Sequence, residues 1–81
     1  MNGYSIQYQV EVDYENGDYD SDVFTNEENA REYLNDCIAD GKLNGNWVEF
    51  YRITRTDTSG GIIVDSTIIT EWYSDGYGQY V

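Results

Sequence analysis

Between Tyr4 and Tyr14 apolar and polar residues alternate without a break. Tyr4, Ile6, Tyr8, Val10, Val12 and Tyr14 fall on one side; Ser5, Gln7, Gln9, Glu11 and Asp13 fall on the other. That period of two predicts a half-buried strand over 4–14. Asn16-Gly17 follows, a pair that favours a two-residue type I′ hairpin turn and predicts a second strand over 18–24. In the register set by such a turn, Tyr14 faces Tyr19 and Val10 faces Val23. Three acid pairs then stack outward: Glu15 with Asp18, Asp13 with Asp20 and Glu11 with Asp22. A slip of one residue would place Asp22 opposite Val10 instead.

The period then changes. Ala30, Tyr33, Leu34, Cys37 and Ile38 recur at helical spacing and predict a helix over 26–40. Thr25-Asn26-Glu27-Glu28 reads as a capping box, in which the Thr25 hydroxyl accepts from the backbone of Glu28 and the Glu28 carboxylate accepts from that of Thr25. Asp40-Gly41 reads as the stop. Residues 47–56, rich in aromatic and β-branched side chains, form a third strand, with Val48 and Phe50 on one face and Trp47, Tyr51 and Ile53 on the other. Asp57 to Gly61 is a turn, and 62–73 is a long last strand with apolar residues on both faces. The glycine-interrupted segment 74–81 reads as a mobile tail. The sum is a single α+β domain of order β-β-α-β-β: a four-stranded antiparallel sheet with one helix packed on one face.

Charge changes this picture from a generic small domain to a polarised one. Sixteen acidic residues stand against four basic ones, a net charge of −12 over 81 residues. Residues 11–40 hold eleven of the acids and one base, Arg31, while the other residues hold five acids and three bases. High charge with low hydropathy is a mark of disorder, but the 16% aromatic content and the regular patterning favour a folded domain. Self-repulsion keeps such a domain soluble and lowers its stability.

Each stacked acid pair repels by about 0.8 kcal/mol at roughly 5 Å in water. One explanation is a solvated hairpin whose charges discourage edge aggregation. The other is imitation of a nucleic-acid backbone. Same-face residues recur about every 6.6 Å along a strand, so two decorated strands present about one charge per 3.3 Å, near the one per about 3.4 Å of a single DNA strand. On that reading Glu11, Asp13, Glu15, Asp18, Asp20 and Asp22 stand in for phosphates. Glu28, Glu32 and Asp36 add a second row from the helix, and Arg31 holds neighbouring acids in place. The expected partner is a basic nucleic-acid-binding protein, not nucleic acid itself. A calcium loop starting at Asp18 lacks the glycine needed at its sixth position, where Val23 stands, so no metal is expected.

Other chemistries have thin support. Without histidine, triads and histidine-containing metal sites are excluded, and an outward hairpin face gives paired carboxylates no cleft in which to act as acid and base. No enzyme activity and no cofactor are expected. The start MNGYSIQYQV has neither the basic opening nor the apolar run of a signal peptide, nothing is long enough to cross a membrane, and lone Cys37 forms no internal disulfide. A cytoplasmic location follows as the expectation. The oligomeric state is left open. An alternative function rests on the aromatics: a protein-interaction module centred on Trp72, Tyr73 and Tyr77, its charge serving solubility alone.

Gly41-Lys42-Leu43-Asn44-Gly45-Asn46-Trp47 resembles the G-x-L-x-G-x-W segment of antirestriction proteins of the ArdA type, acidic mimics of DNA that occupy restriction enzymes. In size, acidity and element order the chain also resembles small phage-encoded inhibitors of bacterial defence, including anti-CRISPR proteins. Both resemblances imply an inhibitor that blocks the nucleic-acid-binding surface of a defence effector in the host cytoplasm.

Overall fold

The computed structural model describes residues 3–74. Strands β1 (Tyr4–Tyr14) and β2 (Tyr19–Phe24) form the first hairpin, helix α1 (Glu27–Asn44) follows, and β3 (Val48–Ser59) and β4 (Ile62–Tyr73) form the second hairpin. All pairings are antiparallel, in the sheet order β2-β1-β3-β4. The β-β-α-β-β reading therefore holds, and both β1 and β4 occupy the predicted spans. The described residues include no helix long and apolar enough to cross a membrane.

The alternation of β1 places Tyr8, Val10, Val12 and Tyr14 against α1, where all four are buried. Ala30, Leu34, Cys37 and Gly41 form the buried stripe of the helix, and Val48 and Ile53 complete the core from β3. Val10, Val12, Val48 and Ile53 are fully enclosed; burial stabilises each by about 1.5–3 kcal/mol. Tyr4 and Tyr19, expected on the core face, are exposed. Among the described residues α1 packs on β1, β2 and β3 but not on β4, and the molecule is elongated, 49 × 21 × 20 Å.

Several boundaries differ from expectation, each for a local reason. The helix is capped by Asn26, not Thr25: the Asn26 side-chain oxygen accepts from Asn29 N at 2.8 Å, and asparagine is at least as good a cap as threonine. Nor does α1 stop at Gly41. It runs one turn further, to a Schellman closure in which Gly45, at φ 71°, donates to Lys42 O and Asn46 donates to Gly41 O. Gly41 is needed for close approach instead, since a Cβ there would lie 2.6 Å from the Asn46 carbonyl oxygen. In β3 the pairing with β1 skips Glu49, a bulge that puts Val48 in the core and sends Phe50 to the other face. Asp57 to Ser59, read as turn, belong to the strand. The hairpin tip is Gly60-Gly61 alone, both at positive φ (61° and 82°), as a type I′ turn requires. Ser74 donates its N–H to Glu49 O; the rest of the expected tail lies outside the described residues.

Candidate partner-binding surface

The first hairpin turns through three residues, not two. Tyr14 N donates to Asp18 O at 2.9 Å and Gly17 N to Tyr14 O at 3.0 Å, so Glu15, Asn16 and Gly17 make the loop. Gly17 sits at φ 93° while Asn16 stays at negative φ, which rules out the type I′ turn and fits a type I turn closed by a left-handed glycine. The Asn16 side chain secures it, accepting from Asp18 N at 2.8 Å and donating to the Asp18 carboxylate at 3.0 Å.

That extra residue slips the register by one. Val10 lies opposite Asp22, Glu11 opposite Ser21, Val12 opposite Asp20, and Asp13 opposite Tyr19. None of the three expected acid pairs forms. Opposite residues share a face, so Asp20 and Asp22 stand on the helix side of the sheet with Val10 and Val12, and Asp18 continues that row beside Tyr14. Glu11 and Asp13 point to the opposite side. The slip exchanges Val23 for Phe24 on the helix face, where the Phe24 ring lies 5.3 Å from that of Tyr33. Burying the larger aromatic favours this register, and the removal of the like-charge pairs favours it further.

Glu11 is also neutralised within the chain. Arg52, opposite it on β3, donates to Glu11 at 3.2 Å and to Glu71 on β4 at 3.2 Å, and its guanidinium lies 5.2 Å from the Phe50 ring centroid. The hydrogen bond that Arg52 donates to Glu11 holds the Arg52 pKa above its ordinary value. Arg31 pairs with Glu27 at 2.7 Å. Arg55 pairs with Asp57 at 2.8 Å, and Tyr4 donates to the same carboxylate. Together Arg55 and then Tyr4 pull the Asp57 pKa below its ordinary value.

What remains is a different acidic surface from the one expected. Asp20 on β2 and Asp36 and Asp40 on α1 rim a groove of about 470 Å³ whose floor includes Tyr14, Tyr33 and Cys37. A neighbouring depression of about 270 Å³ adds Asp18. Tyr14 donates its hydroxyl to Asp20 at 2.7 Å, fixing that carboxylate at the rim. Burial, then the Asp20 bond, push the Tyr14 pKa far above its ordinary value. Burial also lifts Tyr33 to about 12, with Asp20 and Asp22 among the smaller causes, and raises Cys37. The floor is therefore neutral and the rim anionic. At about 100° per residue, Asp40, Asp36, Glu32 and Glu28 wind successively from the groove toward solvent.

Of the expected site residues, Asp18, Asp20, Asp22 and Asp36 are thus brought onto one side. Glu28 and Glu32 are exposed further round α1. Glu15 lies in the loop, and Glu11 and Asp13 are on the far face. The sequence marks Asp40 only as part of a helix stop. Its i, i+4 spacing from Asp36 marks it once the helix is known to pass Gly41. The aromatic alternative divides as well: Trp72 stacks on Tyr51 at 5.6 Å on the helix face, whereas Tyr73 meets Phe50 at 4.8 Å on the other. Tyr77 lies outside the described residues. Asp18, Asp20 and Asp22 alternate along extended chain and do not wrap a loop, and no group of three or more carboxylate or cysteine side chains among the described residues is arranged to hold a metal ion.

Neither a known protein family, nor a curated protein, nor a solved structure matches the chain.

Proposed function

We propose that the chain is a non-catalytic inhibitor that presents carboxylates in place of phosphates to a basic nucleic-acid-binding protein, of the kind bacterial defence effectors carry. The observation that supports this most is the double row on the β2–α1 side. Asp18, Asp20 and Asp22 repeat about every 6.6 Å, and Asp36 and Asp40 are separated by about 6.0 Å of helix rise. Side by side, such rows carry about one charge per 3.2 Å, close to the roughly 3.4 Å of a single nucleic-acid strand. The three arginines are engaged elsewhere, with Glu27, Glu11, Glu71 and Asp57. A basic groove would relieve the repulsion that the fold leaves in place, and association would be fast and salt-sensitive.

The resemblance to antirestriction and anti-CRISPR inhibitors agrees with this reading in charge and size. Its only motif, at Gly41 to Trp47, has a plain structural use: it closes α1 and leads into β3.

The test reverses charge at two exposed positions of the double row, Asp22→Lys with Asp36→Lys. A partner captured by the wild-type chain from a bacterial lysate should no longer be retained, while the circular dichroism spectrum stays unchanged. Full retention by the folded double variant would remove this surface from the account.

A further inference from the structure

A second surface, unrelated to the acidic rows, is the outer edge of β4. The sheet order leaves this strand on the rim, so its outward N–H and C=O groups meet no strand among the described residues. Edge strands are usually blunted by lysine, proline or short length. β4 is twelve residues long, IIVDSTIITEWY, and contains neither. Of the large apolar side chains that the described residues leave exposed, five lie on it: Ile62, Ile63, Val64, Ile68 and Tyr73. Ile62 is 69% exposed and Ile63 66%.

We infer that this edge pairs with the same edge of a second copy, antiparallel about a two-fold axis through Ser66, to give a continuous eight-stranded sheet. Two observations select a second copy over other occupants. The first is self-complementarity. Pairing about Ser66 sets Val64 opposite Ile68 of the second copy and Asp65 opposite Thr67, while Glu71 falls opposite Gly61. Apolar meets apolar, and no two acids meet. The stretch from Asp65 to Ile68 is the regular part of β4, between the extra residues Val64 and Ile69 that bulge its pairing with β3.

The second observation is where the charge lies. A chain of net charge −12 can meet itself only through a surface remote from that charge. The β3 and β4 segments together carry two acids beyond their bases, and the dense rows sit on β2 and α1. In the eight-stranded sheet the two β2 strands are seven spacings apart, roughly 34 Å, several times the Debye length of about 8 Å. The β2 edge offers no such option, because Asp20 and Asp22 would face their own copies. The interface is isologous and leaves both acidic surfaces free.

Sedimentation velocity on the full chain across micromolar to submillimolar concentrations tests this. A mass of two chains is expected. Val64→Lys with Ile68→Lys, which sets like charges opposite one another across the axis, should weaken the dimer at least roughly 100-fold. Because lysines can also affect folding, a gentler pair of variants accompanies them. Ser66→Cys in a Cys37→Ala background should crosslink to itself with a short bismaleimide, and Ser21→Cys on β2 should not. A mass of one chain at every concentration, or equal crosslinking at Ser21 and Ser66, would overturn the proposal. The edge would then belong to another protein's extended segment or to the chain's own last residues.

Discussion

β2 and β4 close the same sheet at opposite edges and follow different rules. β2 has six residues, and its row of Asp20 and Asp22 stands beside a helix flank that carries Asp36 and Asp40. β4 has twelve residues and leaves isoleucine and valine exposed. Each edge exposes backbone groups able to pair with another strand. On β2 the charges forbid a second strand of like charge and favour a cationic surface. On β4 the two acids are spread over twelve residues and Glu71 is paired with Arg52, which leaves pairing open. If both proposals hold, the two associations use opposite edges of the sheet, with β1 and β3 between them.

The comparison breaks most readily at Phe24, the aromatic that anchors β2 to α1 through Tyr33. Phe24→Ala should cost about 2–3 kcal/mol, below the range for a fully buried ring, as measured by urea unfolding. Hydrogen exchange should rise in β2 and leave β4 unchanged; equal loosening of both would show that the edges are not independent. Tyr14→Phe acts next. Losing the hydroxyl that holds Asp20 should cost about 1 kcal/mol and should weaken partner capture without changing the β4 edge.

Asp57 sharpens the comparison from the other end, since it belongs to the hairpin that carries β4. Its folded pKa is depressed by Arg55 and Tyr4, so its contribution to stability is complete above the ordinary value of 3.8 and is lost as the pH falls through the folded value. Asp57→Asn should therefore melt below wild type at neutral pH, with the gap closing in acid. A gap independent of pH would assign the effect to packing. The smallest effect is expected from salt. Screening should stabilise wild type more than Asp22→Asn with Asp36→Asn, by roughly 0.5 kcal/mol, in melting curves at low and moderate ionic strength.

How much of this was legible in the sequence depends on what each pattern constrains. The alternation from Tyr4 to Tyr14 fixes a strand and its buried face with little freedom, and its span is as expected. Asn16-Gly17 marks a hairpin but not its loop length. Both two- and three-residue turns use a left-handed glycine there, and the competition between Val23 and Phe24 for the helix face decides, together with the repulsion of the acid pairs. That single residue moves Asp18, Asp20 and Asp22 from one side of the sheet to the other, so the expected acid pairs do not form and these aspartates stand instead on the side of Asp36. Gly60-Gly61 leaves less choice, because two adjacent glycines meet the type I′ requirement at both positions. Gly41 misled in a third way: a helix stop and a close-packed helical glycine look alike until the carbonyl of Asn46 is in place.

The central claim is that the β2–α1 side takes the position of nucleic acid on a basic partner. Direct competition tests it: the captured partner is loaded with a fluorescent nucleic acid and the purified chain is titrated in. Full displacement by wild type is expected, weakening as salt rises, and none by Asp22→Lys with Asp36→Lys. Simultaneous binding of the chain and the nucleic acid to one partner would contradict it.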